Sequence, residues 1–216
     1  MTLTRPAAAS GAELQELLDS LLYSVSHDLR SPLLSMSLSS ELIAGQVDPH
    51  APESSSATVA LEALQHGAKD LERMLQAIAL LSRARRRPLD AGGVHLQALL
   101  GGQVVISDEA NLGQLAVAVD PMVVHEVLDV VGGHIPLEVR ASVEERVVVL
   151  RLPGTDRTDA LAGSFVRAVV GSLQAYAGTE IERLAASEIA LTRQGAHLSA
   201  VDGSVVLWLP LVEVEP

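Results

Sequence analysis

The chain has no cysteine, which excludes disulfides, thiolate metal centres and a cysteine nucleophile. Aromatic residues are nearly absent too: one Phe, one Trp and two Tyr in 216 residues. A core must therefore be built from Leu, Val, Ala and Ile, and nucleic-acid binding by base stacking is excluded. The net charge of −12 argues against nucleic acid as a partner, because that affinity comes from neutralised phosphates. Lysine occurs once, at Lys69, so phosphate-loop or Schiff-base chemistry would rest on a single side chain. No apolar run approaches the roughly 20 residues of a spanning helix. The first ten residues hold Arg5 and Pro6 but no apolar stretch of a signal. The expectation is a cytoplasmic protein that engages neither membrane nor nucleic acid.

What is present is ample apolar material, 48% of the residues, enough for a core in a chain of this length. Residues 11–44 read as one long helix. Leu14, Leu18, Leu21, Val25 and Leu29 recur at intervals of three and four, the spacing of one helix face. Pro32 should kink it by removing a backbone donor, and Gly45 should stop it. A polar loop with Pro49, Pro52 and a serine run follows. A second helix is expected over 56–85, with Leu61, Leu64, Ala68, Leu71, Leu75, Ile78 and Leu81 as a heptad-like seam. Two such helices form a hairpin too thin to bury both seams. Pairing with a second copy into a dimeric four-helix bundle solves that.

Arg85, Arg86, Arg87, Pro88 and the glycine pair 92–93 mark a boundary, beyond which the apolar period changes. Strands are expected over 116–119, 137–143, 147–152 and 204–211 from their β-branched runs. Helices are expected between them. Asp120 and Pro121 open one as N-cap and first residue, and Gly132 with Gly133 closes it. A second covers 165–176. A third begins at a capping box formed by Thr179 and Glu182 and ends near Gly195. The fold class is α+β: a tail over 1–10, a helical hairpin over 11–88, and a layered α/β domain over 89–216.

The residues with chemical potential lie in the first helix, at Ser26-His27-Asp28-Leu29-Arg30-Ser31-Pro32-Leu33. At about 100° per residue, His27 points about 140° from Leu14 and about 160° from Val25, away from the apolar seam. Ser31 lies one turn on, and Asp28 is adjacent in sequence. An imidazole with a carboxylate and a hydroxyl in reach can be a nucleophile with an orienting group. An ordinary solvent-facing histidine fits the spacing as well. His125 and His134 are not at a helix-face spacing and have no partner carboxylate, so they read as ordinary histidines rather than metal ligands.

The eight residues 26–33 resemble the H-box of the dimerisation and phosphoacceptor domain of two-component sensor histidine kinases, S-H-[ED]-L-R-[TS]-P-L. The place of the motif, midway along the first helix of a hairpin with a proline five residues after the histidine, fits as well. The resemblance implies that His27 takes a phosphoryl group and passes it to a receiver-domain aspartate. It implies that Asp28 orients His27 and acts as its base, and that Arg30 contacts phosphate or the receiver. Ser31 sits where these kinases often carry Thr or Asn to orient water for receiver dephosphorylation. A serine lacks both amide and β-branch, so this is a weak phosphatase position.

The second half resembles the Bergerat-type ATP-binding domain of the same kinases in outline only. Where the N-box helix should carry two asparagines, Val130 and His134 stand. Where a D-x-G-x-G adenine turn should follow the strand, the chain reads Pro153-Gly154-Thr155-Asp156. Ile181-Glu182-Arg183 replaces the glycine-rich lid. Glycines in such turns let backbone amides approach a triphosphate, and an asparagine supplies a magnesium ligand. The expectation is a domain that keeps the fold and binds neither ATP nor magnesium. The resemblance implies a dimeric histidine phosphotransferase that works with response-regulator receivers. The alternatives are a divergent but active sensor kinase and a non-catalytic scaffold that docks a receiver.

Overall fold

The computed structural model describes residues 25, 28–45, 55–90, 92–101, 115–132, 138–142 and 146–212. The tail over 1–10, most of the first expected helix before Val25, His27 and His134 lie outside the described residues.

Helix α1 spans Arg30–Gly45 and α2 spans Ser55–Arg86. Upstream of α1 the helical pattern continues locally: the Leu29 N–H bonds the Val25 carbonyl at 3.0 Å, and the Leu33 N–H bonds the Leu29 carbonyl at 3.3 Å. The regular helix is interrupted at Leu29, one turn before Pro32, whose ring nitrogen has no hydrogen to give the Asp28 carbonyl. Gly45 is the last described residue of α1. The two helices pack closely at Gly67, where a Cβ would lie 2.8 Å from Met36 Cγ and 3.3 Å from the Pro32 carbonyl oxygen.

The stripe that α2 buries overlaps the seam read from the sequence only in part: Leu81 is buried, and Leu64, Leu71 and Ile78 are half-buried. Ala60, Gly67, Met74, Ala77, Leu81 and Ala84 face inward. Leu61 and Leu75 remain 51% and 58% exposed. Small residues at 60, 67, 77 and 84 let another helix approach, which leucines at 61 and 75 do not. Along α1, Leu33, Leu34, Leu38 and Leu42 are likewise exposed.

The remaining elements are β1 (Gly93–His95), α3 (Leu96–Leu99), β2 (Ala116–Ala118), α4 (Pro121–Val130), β3 (Glu138–Ser142), β4 (Val147–Leu152), α5 (Phe165–Gly171), α6 (Leu173–Tyr176), α7 (Glu180–Thr192), β5 (His197–Val201) and β6 (Ser204–Val212). The sheet runs β1-β2-β6-β4-β3 and every pairing is antiparallel. Strand β6 is its centre: β4 runs along one edge, while β5 and β2 divide the other. Alternation along β6 splits its side chains between two clusters. Val205, Leu207 and Leu209 join the main core, while Val206 and Trp208 pack with Val147 and Val149 on the other side. Helix with wholly antiparallel sheet is the α+β class expected.

The C-terminal half of α2 belongs to that main core. Met74, Ala77, Leu81 and Ala84 join Ile181, Leu184, Ala185 and Leu191 of α7, and α2 packs directly on α7. The hairpin and the sheet layer thus share apolar contacts.

Local predictions fared unevenly. Asp120 caps α4, accepting from the Met122 N–H at 2.9 Å, with Pro121 at the first position. The expected helix over 165–176 breaks at Ser172, which has φ −155° and ψ 82°. The capping box is replaced. Thr179 Oγ1 donates to the Tyr176 carbonyl at 2.6 Å and caps nothing in α7, while Glu182 accepts from the Gly178 N–H. The positive φ of Gly178, +76°, supplies the left-handed turn that links α6 to α7. Strands β1 and β5 and the short α3 were not predicted.

Candidate functional site: the H-box against the second domain

Residues 28–33 of the H-box lie where α1 begins, beside the main core. His27 and Ser26 are outside the described residues, so the site is built from their neighbours. Val25 and Leu29 pack against the main core, and Pro32 is buried against α2. Arg30 and Ser31 are exposed. The interval from 25 to 29 to 32 is one face of a helix, which turns Arg30 and Ser31 to solvent.

Asp28 is half-buried, and its Oδ2 accepts the backbone N–H of Leu173 at 3.0 Å. Leu173 is the first residue of α6, and an N–H in the first turn has no acceptor within its own helix. Sequence reading did not foresee this contact, and no local signal carries it. Below it, Gly178 lies beside the Arg73 side chain, and Arg73 is ion-paired with Asp70.

The segment carrying Leu173 is anchored from behind. Ser164 caps α5, accepting from the Arg167 N–H at 3.2 Å. Glu188 of α7 accepts the Val166 N–H at 2.9 Å. Burial pushes the Glu188 carboxyl up to about 7, against the opposing effect of Ser164, of the Val166 and Phe165 N–H groups and of the Arg167 charge. Desolvation wins because few waters reach the charged form.

The positions where the nucleotide boxes should lie are occupied as follows. The turn after β4 closes on itself: the Thr155 N–H donates to Thr158 Oγ1 at 2.7 Å, and that hydroxyl donates to the Thr155 carbonyl at 2.8 Å. Gly154 is pressed on the Gly203 carbonyl so closely that a Cβ would overlap it. Asp156 and Asp159 are exposed turn residues. On α4, Val123, Val124 and Val127 are fully buried. His125 Nε2 lies 2.9 Å from the Leu99 carbonyl oxygen, a hydrogen bond that gives this histidine a structural partner. No group of three or more His, Cys, Asp or Glu able to hold a metal occurs among the described residues.

The arginines at the end of α2 are mostly engaged locally. Arg87 pairs with Glu126 at 2.6 Å, and Arg86 donates to Ser82 Oγ at 2.6 Å. Arg193 donates to the Ala84 and Arg87 carbonyls, at 3.1 and 2.8 Å, and so satisfies carbonyls left open at the helix end. Arg83, Arg86, Arg87 and Arg183 rim an open groove of about 910 Å³ between α2 and α7.

Compared with known families, residues 15–87 match the His Kinase A (phospho-acceptor) domain. The match covers the H-box, the loop and all of α2. The match is consistent with a protein of the two-component histidine kinase family and supports histidine phosphotransfer or kinase-type signalling. No curated protein matches the chain. Among the described residues, no helix is long and apolar enough to cross a membrane.

Proposed function

We propose that this protein is a histidine phosphotransferase of a phosphorelay, with His27 taking phosphoryl groups from one receiver aspartate and giving them to another. The observation that carries this reading is the match over residues 15–87 with an intact H-box inside it. In the forward step a ring nitrogen of His27 attacks the phosphorus of a receiver aspartyl phosphate. The new P–N bond forms as the P–O bond breaks, and the receiver carboxylate leaves with the electron pair. Asp28 holds the proton on the other ring nitrogen, which offsets the positive charge the ring acquires. The second receiver reverses the sequence. Arg30, exposed beside the site, meets phosphate or the receiver surface, and Ser31 is a weak position for orienting a hydrolytic water.

In this reading the second domain binds neither ATP nor magnesium. Support comes from the altered boxes and from the Gly154 turn, which is packed on Gly203 where a phosphate cradle would need open backbone. The domain division at residue 88, the Bergerat-like ancestry of the second domain and a cytoplasmic location belong to the same reading. So does the homodimer: Leu33, Leu34, Leu38, Leu42, Leu61 and Leu75 present more apolar side chains than a helical hairpin keeps in water, and a second hairpin covers them in a four-helix bundle.

The test is transfer from a receiver domain phosphorylated with acetyl phosphate. Acid-labile label should appear on the protein and not on His27→Ala. Label that appears equally on that variant, or only when ATP is supplied, sinks the proposal. The ATP-dependent result would establish the active kinase, and receiver binding without transfer the scaffold.

A further inference from the structure

In a chain of net charge −12, the open groove of about 910 Å³ between α2 and α7 is a basic exception. Arg83, Arg86 and Arg87 line it along the end of α2, and Arg183 lines it from α7. The carboxylate among its lining residues, Glu126, is already taken by Arg87 at 2.6 Å, and Arg86 is turned to Ser82 Oγ. Arg83 and Arg183 are exposed, and no acceptor among the described residues engages either guanidinium. The groove thus carries two uncompensated cations, one on each of the helices that form it. Between them the lining is apolar and small. Ala84 of α2 and Ala186 and Ala190 of α7 are buried, and Leu80 is half-buried. Arg87 also lines a second hollow, of about 490 Å³, beside Pro121 and Met122. Met122 is 59% exposed, so the apolar track continues past the end of α2.

We propose that this groove is a docking site for an acidic amphipathic helix of a partner protein, which lays leucine-like side chains on the alanines and Leu80 and sets carboxylates against Arg83 and Arg183. Charge complementarity selects the occupant: guanidinium groups pair with carboxylates in a two-pronged geometry, and they repel a basic helix. The lining favours a helix over a flat ligand. Ala186 and Ala190, four residues apart, share one face of α7, and their short side chains let a third helix approach to the usual packing distance of about 8–10 Å. No aromatic side chain lines the groove, so a planar ring finds nothing to stack on. None of these residues belongs to the H-box, and the site stands independently of the phosphoacceptor reading.

The test titrates the isotope-labelled full chain with a synthetic helical peptide of about 18 residues, with leucines at i, i+3, i+4 and i+7 and glutamates on the flanks. One control peptide carries lysine for glutamate, and another has the acidic sequence scrambled. The acidic peptide should shift the amide resonances of Leu80, Ala186 and Ala190, and added salt should weaken it. Neither control should bind. Joint Arg83→Glu and Arg183→Glu should weaken the acidic peptide at least about tenfold, because attraction becomes repulsion at two places. Joint Arg83→Gln and Arg183→Gln should give a smaller loss. Both arginines are exposed and without acceptors among the described residues, so the variants should melt as the wild type does; the glutamine pair decides the matter should the charge reversal disturb folding. Several results overturn the proposal: no binding at millimolar peptide, equal binding of either control, shifts confined to other residues, or variants that bind as the wild type does. A change of oligomeric state in the variants without peptide, read by light scattering, would make the groove an interface between copies of this chain and overturn it too.

Discussion

Replacing Glu188 by Gln measures what a buried carboxylate costs this fold. Glu188 lies in the α7 face that packs on α5, only 7% exposed, and accepts the Val166 N–H at 2.9 Å. Its pKa rises from the usual 4.5 to about 7 on folding, with burial as the main cause. The sign follows from proton counting. Between those two values the folded chain holds a proton that the unfolded chain has released, so stability falls as pH rises. The contribution is complete below 4.5 and gone once pH passes about 7. At about 1.4 kcal/mol for each pH unit of that gap, the loss comes to about 3 kcal/mol. In a chain of this size, that is roughly 6–12 °C in Tm. A glutamine is neutral at every pH, and its amide oxygen still accepts from Val166. Urea unfolding of both proteins, followed by circular dichroism from pH 4.5 to 8, isolates this group from the repulsion that a net charge of −12 adds to both. The wild type should lose about 3 kcal/mol relative to Glu188→Gln across the range. Two curves that run parallel would refute the assignment of a strained, desolvated carboxylate.

Asp120→Ala removes the cap of α4 and should cost about 1 kcal/mol in urea melts; a neutral result would mean that the Met122 N–H finds water instead. Gly154→Ala forces a methyl into the Gly203 carbonyl and should cost about 1–3 kcal/mol by overpacking. A variant as stable as wild type would show that the turn moves freely. Light scattering at micromolar concentration should give a dimer, and joint substitution of the exposed Leu38 and Leu75 by Glu should yield a folded monomer. A dimer that survives both charges would place the interface elsewhere.

Much of the local structure was legible. The change from helical to strand period after residue 88, the Asp120-Pro121 start of α4 and the extent of β4 all follow from spacing and caps. Strand β5 carries a sequence signal too. Asp202-Gly203 is the two-residue turn between β5 and β6, with φ of +48° and +70° at its residues, and Asp-Gly between strand-like runs is a strong hairpin signal. The break at Ser172 was not legible. Residues 165–176 satisfy a single helical period, and only packing of α5 on α7 and of α6 on α2 sets the two pieces at different angles. Likewise Thr179 and Glu182 have capping-box spacing, but the positive φ at Gly178 offers Glu182 a different N–H.

By itself, then, the sequence determined the chemistry available to this protein. It fixed the H-box around His27, the lack of thiols and aromatic platforms, and the class of elements, because these depend on residue identity and short-range periodicity. The tertiary structure decided which stripe of α2 is buried and which donor reaches Asp28. Both are contests between distant parts of the chain. Leu75 satisfies a heptad as well as Met74 does, and the approach of α7 is what buries Met74 and leaves Leu75 exposed. Any backbone N–H is chemically equivalent to that of Leu173. What singles it out is that a rigid core brings it within 3.0 Å of Asp28.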